Sequence, residues 1–382
     1  MQQHSAPTPI RLVLVGAGHA HLEVLRRCIL TPLPKVELSV VSLDAYHYYS
    51  GMLPGYVAGT YPPDAVRVDV AALVRRANGR FIKARALGLD PNGRTLRLAE
   101  AEPVAYDLIS FNLGSQAAGA EAEAVARHAV LLKPFSQVTT VCQRLQTLAR
   151  EKSDRACHIA VVGGGAAGFE MACALEAALA LAGQTRQVSV FEAAPGMLGG
   201  YSTAFRSRAA HILAHKNIAV HTGRSVRRVY ADAVELDDGD TRAADLTVWL
   251  SGPAAPPVFR GCDLALDARG FLLVNDSLHA LDDRRVFGVG DCATLAAYPH
   301  TPKAGVYAVR QGPVLWESLR ASLSGRPLPH YRPQSGFLSI LNTADGKALL
   351  RYKRLVSHSR WAWQLKDWID RRFMARYQGL LG

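Results

Sequence analysis

Apolar residues along the chain gather in short runs that end at glycine turns, each followed by a longer stretch with helical spacing. Ile10–Val15 leads into Gly16-Ala17-Gly18 and then a helical pattern over Leu22–Leu30. His158–Val162 leads into Gly163-Gly164-Gly165-Ala166-Ala167-Gly168, with a helical pattern over Ala172–Gly183. Val286–Val289 enters Gly290-Asp291, and a helix is predicted at Lys303–Ser322. Lys35–Ser42, Tyr106–Asn112, Gln187–Phe191 and Asp245–Ser251 read as further strands. Asp69–Ala77 reads as a short helix and Ser136–Ser153 as a longer one. Arg80–Asp107 reads as hairpins turning at Asp90-Pro91-Asn92-Gly93, and Asp44–Thr60 as an irregular loop. Gly336–Leu350 reads as strands of a small cap, and 357–381 as a terminal amphipathic helix.

Strands alternating with helices predict an α/β fold with parallel sheets covered on both faces. The two glycine turns divide it into two Rossmann-like three-layer domains, followed by a small C-terminal α+β cap and the terminal helix. The expected boundaries are 1–118 for the first part of one domain, 119–268 for the second domain, 269–330 for the return to the first, and 331–382 for the cap. Ala117–Ala129 marks the crossing between domains.

The chemistry follows from the turns. Gly16 permits a tight turn, and Gly18 lets a pyrophosphate approach the positive end of the following helix. This first copy is incomplete, because His21 stands at the third glycine position. Its second strand ends at Ser42 where the fingerprint usually has a ribose-binding carboxylate, although a serine hydroxyl can also bond a ribose. The second copy has all three glycines, Gly163, Gly165 and Gly168, and its next strand ends in Glu192. A carboxylate there binds a ribose 2′-hydroxyl and repels a 2′-phosphate, which favours NADH over NADPH. Arg186, just before that strand, keeps NADPH open. Asp291 is a candidate ligand at the third turn, with a helix N-cap as its plainer reading. Two nucleotide turns in one chain suggest FAD and NADH, whose hydride chemistry asks the protein mainly to juxtapose two rings and exclude water. There is no GxSxG, HExxH or Walker pattern to suggest another reaction.

With 382 residues and 49% hydrophobic content, the chain can bury sizeable cores. Its six cysteines form no CxxC pair or zinc spacing, so buried thiols in a reducing cytoplasm are expected. Met1–Pro9 lacks the apolar core of a signal peptide, and no run is long enough to span a bilayer. The formal net charge is +12, and eight basic residues against two acidic ones place +6 of it in residues 351–382.

Taken in order, these motifs resemble the two-dinucleotide-binding-domain flavoproteins of the pyridine nucleotide-disulfide oxidoreductase superfamily. The resemblance rests on Gly16-Ala17-Gly18, the strand end at Ser115, Gly163–Glu170, Ser251-Gly252 and Val286–Ala293. Within the superfamily the chain is similar to the type II NADH dehydrogenase and sulfide:quinone reductase branch. Tyr49–Gly55, Ala304–Trp316 and Leu365–Met374 are closest to the group fused to selenophosphate synthase, of which this chain would be a stand-alone version. The resemblance implies that Gly16, Gly18, His19, Ser42, Gly114 and Asp291 hold FAD, with Tyr49, Ser50 and Pro54 lining the flavin. It places Lys303, Ala304 and Gln311 beside the isoalloxazine, with Lys303 and Gln311 as the catalytic candidates. Gly163, Gly165, Gly168, Glu192 and Gly252 would hold NADH, and Lys133-Pro134 would mark a domain crossing. The dithiol chemistries of relatives are disfavoured, because Tyr46–Gly59 contains no cysteine and the last cysteine is Cys292. The implied activity is therefore NADH to FAD to an acceptor such as a quinone; the alternative is a flavin-bearing accessory or sensor protein linked to selenophosphate metabolism.

On the terminal helix, Trp361, Leu365, Trp368, Ile369, Phe373, Tyr377 and Leu380 share one predicted face. Tryptophan beside arginine suits peripheral contact with the inner face of the plasma membrane. Packing on the body or in a homodimer is the other reading. Nucleic acid is not expected, because these aromatics line a helix rather than a stacking platform on a sheet.

Overall fold

The computed structural model describes residues 8–150, 156–183 and 185–381. Most of the Met1–Pro9 stretch and the last residues of the expected helix at Ser136–Ser153 lie outside the described residues; within them, that helix covers Val138–Arg150.

Two five-stranded parallel sheets carry the chain. In the first, the order is Val286–Gly288, Leu108–Phe111, Ile10–Val15, Val36–Ser42, Arg80–Lys83. Its central strand is almost wholly apolar because both faces are covered, and Leu12, Leu14 and Val15 are fully buried. The second sheet has the order Ala129–Leu131, Leu246–Trp249, Cys157–Val162, Arg186–Glu192, Ala219–Thr222. In each, a strand that ends at a glycine turn lies where the strand order reverses. That is where an open α/β sheet leaves a crevice for a ligand. The two chain crossings between the units are joined as a short antiparallel pair, Gln116–Ala117 with Pro253–Ala254.

The helix His19–Leu30 covers one face of the first sheet and packs on Gly305–Ser324. The contact is close at Gly312, where a side chain would meet the Cβ of Glu23 at 2.9 Å. This second helix starts at Ala304 as N-cap, two residues later than the pattern suggested, so Asp291 is not its cap. Asp44–Thr60 is more regular than expected. Tyr46–Tyr48 pairs with Arg67–Asp69, and Leu53–Val57 is a helix with Pro54 in its first turn, a position that needs no N–H.

The cap is an antiparallel sheet of Ser339–Asn342, Ala348–Tyr352 and Leu355–Ser359, followed by the helix Arg360–Gln378. Residues 357–359 are thus strand rather than helix, and Ser359 is the helix N-cap. The buried face also differs from the predicted one. Ala362, Lys366, Asp370, Met374 and Tyr377 face inward, while Trp361 and Trp368 are 47% and 58% exposed. Hydrophobic spacing failed here because two charges neutralise one another one turn apart. The Lys366 ammonium donates to Asp370 Oδ2 at 2.8 Å and to the Gly51 carbonyl at 2.7 Å, which makes its burial tolerable.

Asp370→Ala should leave the Lys366 charge buried and unpaired, costing about 3–5 kcal/mol of stability. Urea unfolding of the single variant and of Lys366→Met/Asp370→Leu checks this, and the double variant should recover most of the loss.

Candidate active site

At the reversal point of the first sheet, Gly16 (φ +86°) turns the chain against the backbone of Asn112. A side chain at Gly16 would come within 2.5 Å of the Asn112 carbonyl, and one at Gly18 within 2.4 Å of Asn112 Oδ1. Asn112 was not singled out from sequence, yet it holds the turn together. Its Oδ1 accepts from the backbone N–H of Ala20 at 2.9 Å, occupying a free amide of the helix start, and its Nδ2 donates to the Val289 carbonyl. An asparagine at the end of a buried apolar strand, just before Leu113-Gly114, was the available signal.

His21 is fully buried, and burial lowers its pKa to about 4. The ring is therefore neutral. Its Nδ1 donates to the Gly16 carbonyl at 2.6 Å, and Nε2 accepts from the Ser110 hydroxyl at 2.9 Å. In the second unit a side chain at the matching Gly168 would lie 1.8 Å from the Gly163 carbonyl. The first turn thus accommodates an imidazole bonded to the carbonyl that the second turn packs bare against its helix.

A cavity of about 960 Å³ opens from this point and runs between the two units. That is within the size of cofactor sites. Gly16, Gly18, His19, Ser42, Ser50, Gly114 and Asp291 all line it. Tyr49, Pro54, Lys303, Ala304 and Gln311 do not. Tyr49 turns toward the C-terminal helix, where its hydroxyl donates to Asp370 Oδ1 at 3.0 Å. Pro54 is buried in its own short helix, and Ala304 caps the Gly305 helix. Gln311 is buried and accepts from the Gly290 N–H at 2.6 Å, so it fixes the Gly290-Asp291 turn. Lys303 faces a small adjoining cavity, bonds the Ala293 carbonyl and Thr294 Oγ1, and lies 4.1 Å over the Phe271 ring. Burial lowers its pKa to about 8.

On the cavity wall, Lys133 from the second unit donates to Ser115 Oγ at 2.6 Å, with Asp291 Oδ2 4.0 Å from its ammonium. Burial lowers the lysine's pKa and raises that of the aspartate, each partly opposed by the other's charge. These three residues tie the units together beside the cavity.

In the second unit, Gly163 (φ +116°) and Gly168 are required by the close backbone approach. Gly165 and Gly252 are not: a side chain at either would meet nothing within 4 Å. Bare backbone facing open space is what a ligand pressed against the turn needs. Glu192 closes this site, with Oε2 accepting from Gly164 N–H at 2.6 Å and Oε1 from Ala194 N–H at 2.8 Å. Each oxygen keeps a lone pair for a ribose hydroxyl.

Glu170, two residues after Gly168, was also missed. It is half-buried, accepts from Asn342 N–H of the cap at 2.7 Å, and has a pKa raised to about 7 by desolvation, opposed by Lys366.

With this geometry in place, comparison with known proteins is decisive at the family level. The pyridine nucleotide-disulphide oxidoreductase family matches residues 10–312. The chain belongs to this family. It is an FAD- and NAD(P)H-dependent oxidoreductase, and the residues present fit two dinucleotides: one glycine turn walls the large cavity, and the other is closed by a carboxylate, Glu192. It is 22% identical over 339 residues to the NADH dehydrogenase-like protein YutJ of Bacillus subtilis, covering 88% of this chain and 91% of that one. It is 26% identical over 255 residues to the demethylphylloquinone reductase NdbB of Synechocystis, covering 65% and 62%. In fold it is similar to NDH2 of Plasmodium falciparum, solved with NADH (TM-score 0.79, 12% identity, 97% and 99% covered). The sulfide:quinone oxidoreductase of Aquifex aeolicus is similar to the same degree (0.79, 18%, 97% and 92%).

The Glu170 carboxyl binds its proton more tightly in the folded state than in the unfolded one, whose value is 4.5. Its contribution to stability is therefore full below pH 4.5 and lost as pH rises to about 7. Glu170→Gln should flatten the stability profile across that window, as measured by denaturant midpoints at stepped pH.

Proposed function

We propose that this oxidoreductase passes a hydride from NADH to FAD, and that the reducing equivalents then reach a quinone without a redox disulfide. The observation that carries this reading is the pairing of two reversal-point sites in one chain, one closed by Glu192 and the other opening into the large cavity. FAD, when bound, supplies the ring that accepts a hydride and releases electrons. The chain's own residues do the rest. The Gly16-Ala17-Gly18 turn and the amides of the helix start receive the diphosphate. Asp291, held by Gln311 through Gly290 and facing Lys133 and Ser115, is poised for a hydroxylated chain in the cavity. Glu192 selects an unphosphorylated ribose, which favours NADH over NADPH. No cysteine lies between Tyr46 and Gly59, so a dithiol relay has no partner residues there.

A quinone is supported by the demethylphylloquinone reductase among the relatives and by the C-terminal helix. Its outer face presents Trp361 and Trp368, with Arg372 5.3 Å over the Trp368 ring. That face suits the headgroup region of an anionic membrane, where lipid-soluble acceptors are found. Among the described residues no helix is long and apolar enough to cross a membrane. Within the family we place the chain nearest the group fused to selenophosphate synthase, on the three motif stretches named above.

Anaerobic stopped-flow tests the central claim: NADH should bleach the bound flavin in a single exponential, and a soluble quinone should restore the colour. A flavin that stays oxidised in excess NADH rules the reading out. Glu192→Ala should raise the KM for NADH at least tenfold and shrink its advantage over NADPH. Trp361→Ala/Trp368→Ala should stop sedimentation with anionic liposomes while leaving turnover with a soluble quinone unchanged.

A further inference from the structure

The strand that ends in Glu192 is followed by a loop, 193–202, before the helix Thr203–His215. The loop folds back against the second glycine turn. Leu198 N–H donates to the Gly164 carbonyl at 2.8 Å, while Gly164 N–H donates to Glu192 Oε2. Both backbone polar groups of Gly164 are therefore used, and two successive peptide planes of the turn are fixed. The fit is close, because a Cβ on Gly164 would lie 2.9 Å from the Glu192 side chain and 2.9 Å from Met197 Cγ. The turn and its carboxylate thus rest on this loop.

The loop is not in a relaxed conformation. Leu198 is buried at φ +57°, in the left-handed region that residues with a Cβ avoid. Such a conformation persists when its surroundings hold it on several sides. Gly199 and Gly200 follow, both exposed, and a side chain at either would meet nothing within 4 Å. A glycine pair supplies no stiffness of its own, so the fixed points on either side decide whether Leu198 stays down.

On its near side the loop is tied within its own unit. Gly223 N–H donates to the Ala194 carbonyl at 2.9 Å, and Arg206 Nε donates to the Met197 carbonyl at 3.1 Å. On its far side it is tied to the cap. The Tyr201 hydroxyl shares a hydrogen bond with Ser339 Oγ at 3.0 Å, the Arg351 guanidinium lies 5.1 Å over the Tyr201 ring, and Phe205 stacks on that ring at 4.5 Å. Ser339 and Arg351 are directly opposed on neighbouring strands of the cap sheet, so their side chains share one face. Ser339 is buried, and Arg351 also lies 5.8 Å over the Phe337 ring. A cross-strand pair of the cap therefore forms a socket for one side chain of the second unit.

We infer that Tyr201 is a positioning residue for the nicotinamide nucleotide: seated in the cap, it holds the loop 193–202 against Gly164 and thereby fixes the turn and Glu192 for binding. The second nucleotide site is completed by the cap. This rests on the Glu192-closed turn being the NADH site.

The test uses the FAD-loaded protein and reads the Kd for NAD+ by calorimetry, the KM for NADH, kcat with a soluble quinone, and the urea midpoint. Tyr201→Phe keeps the ring contacts and deletes the hydroxyl, and Ser339→Ala deletes its partner. Each should raise Kd and KM about threefold while kcat stays within about 1.5-fold. The Tyr201→Phe/Ser339→Ala double variant should be no worse than either single one, because both remove the same bond. Tyr201→Ala, which empties the socket, should raise Kd and KM about tenfold. Should Tyr201→Ala fail to fold, the two conservative variants decide. Kd and KM within about 1.5-fold of the unmutated protein in both conservative variants overturn the inference, as does a lowered urea midpoint without the split between KM and kcat. Failure of the NADH assignment looks different: Glu192→Ala would then leave the KM for NADH unchanged as well.

Discussion

The close approach of a glycine turn to the neighbouring strand at the reversal point is the constraint on which the rest depends. In the first unit Gly16 and Gly18 lie against Asn112, whose amide bonds both the helix start and Val289. One side chain thus joins the first strand, the first helix and the returning third segment. The cavity, the orientation of the helix start and the position of Asp291 all follow from that junction. The second unit reaches the same geometry by backbone contact alone, at Gly163 and Gly168. Its carboxylate Glu192 bonds the turn it closes, which fixes the carboxylate beside that turn.

The cap contributes charge and shape together. Its helix buries an ion pair, Lys366–Asp370, beside Glu170 of the second unit and Tyr49 of the first. Three parts of the chain therefore meet through polar side chains around the buried Lys366 and Asp370. Such a contact is weak as a source of net stability but sensitive to loss of any member. It fixes where the helix sits, and with it which face remains outward. The outward tryptophans and arginines are the remainder after the polar pair has been buried.

Much of the fold was legible because it is written locally. Apolar runs, glycines and helical spacing recur at short range, and Gly163–Gly168 with Glu192 at the following strand end is a pattern of spacing alone. The same is true of Gly290-Asp291. The cavity residues read from motif resemblance separate into those that line the cavity and those, such as Lys303 and Gln311, that brace it from behind. A motif preserves position along the chain, and position does not specify which way a long side chain turns.

The sequence by itself therefore determined the α/β class, the two strand–glycine turn–helix units, the acidic strand end at Glu192 and the lack of a cysteine pair between Tyr46 and Gly59. These depend on neighbours within a few tens of residues. Only the tertiary structure decided how His21 replaces a glycine, that Asn112 is the junction, that Lys133 reaches Ser115 and Asp291, and which face of the C-terminal helix is buried. Each of these turns on pairing between residues far apart in the chain. A buried charge such as that of Lys366 is tolerated when a partner such as Asp370 is present, and hydrophobic periodicity carries no information about that partner.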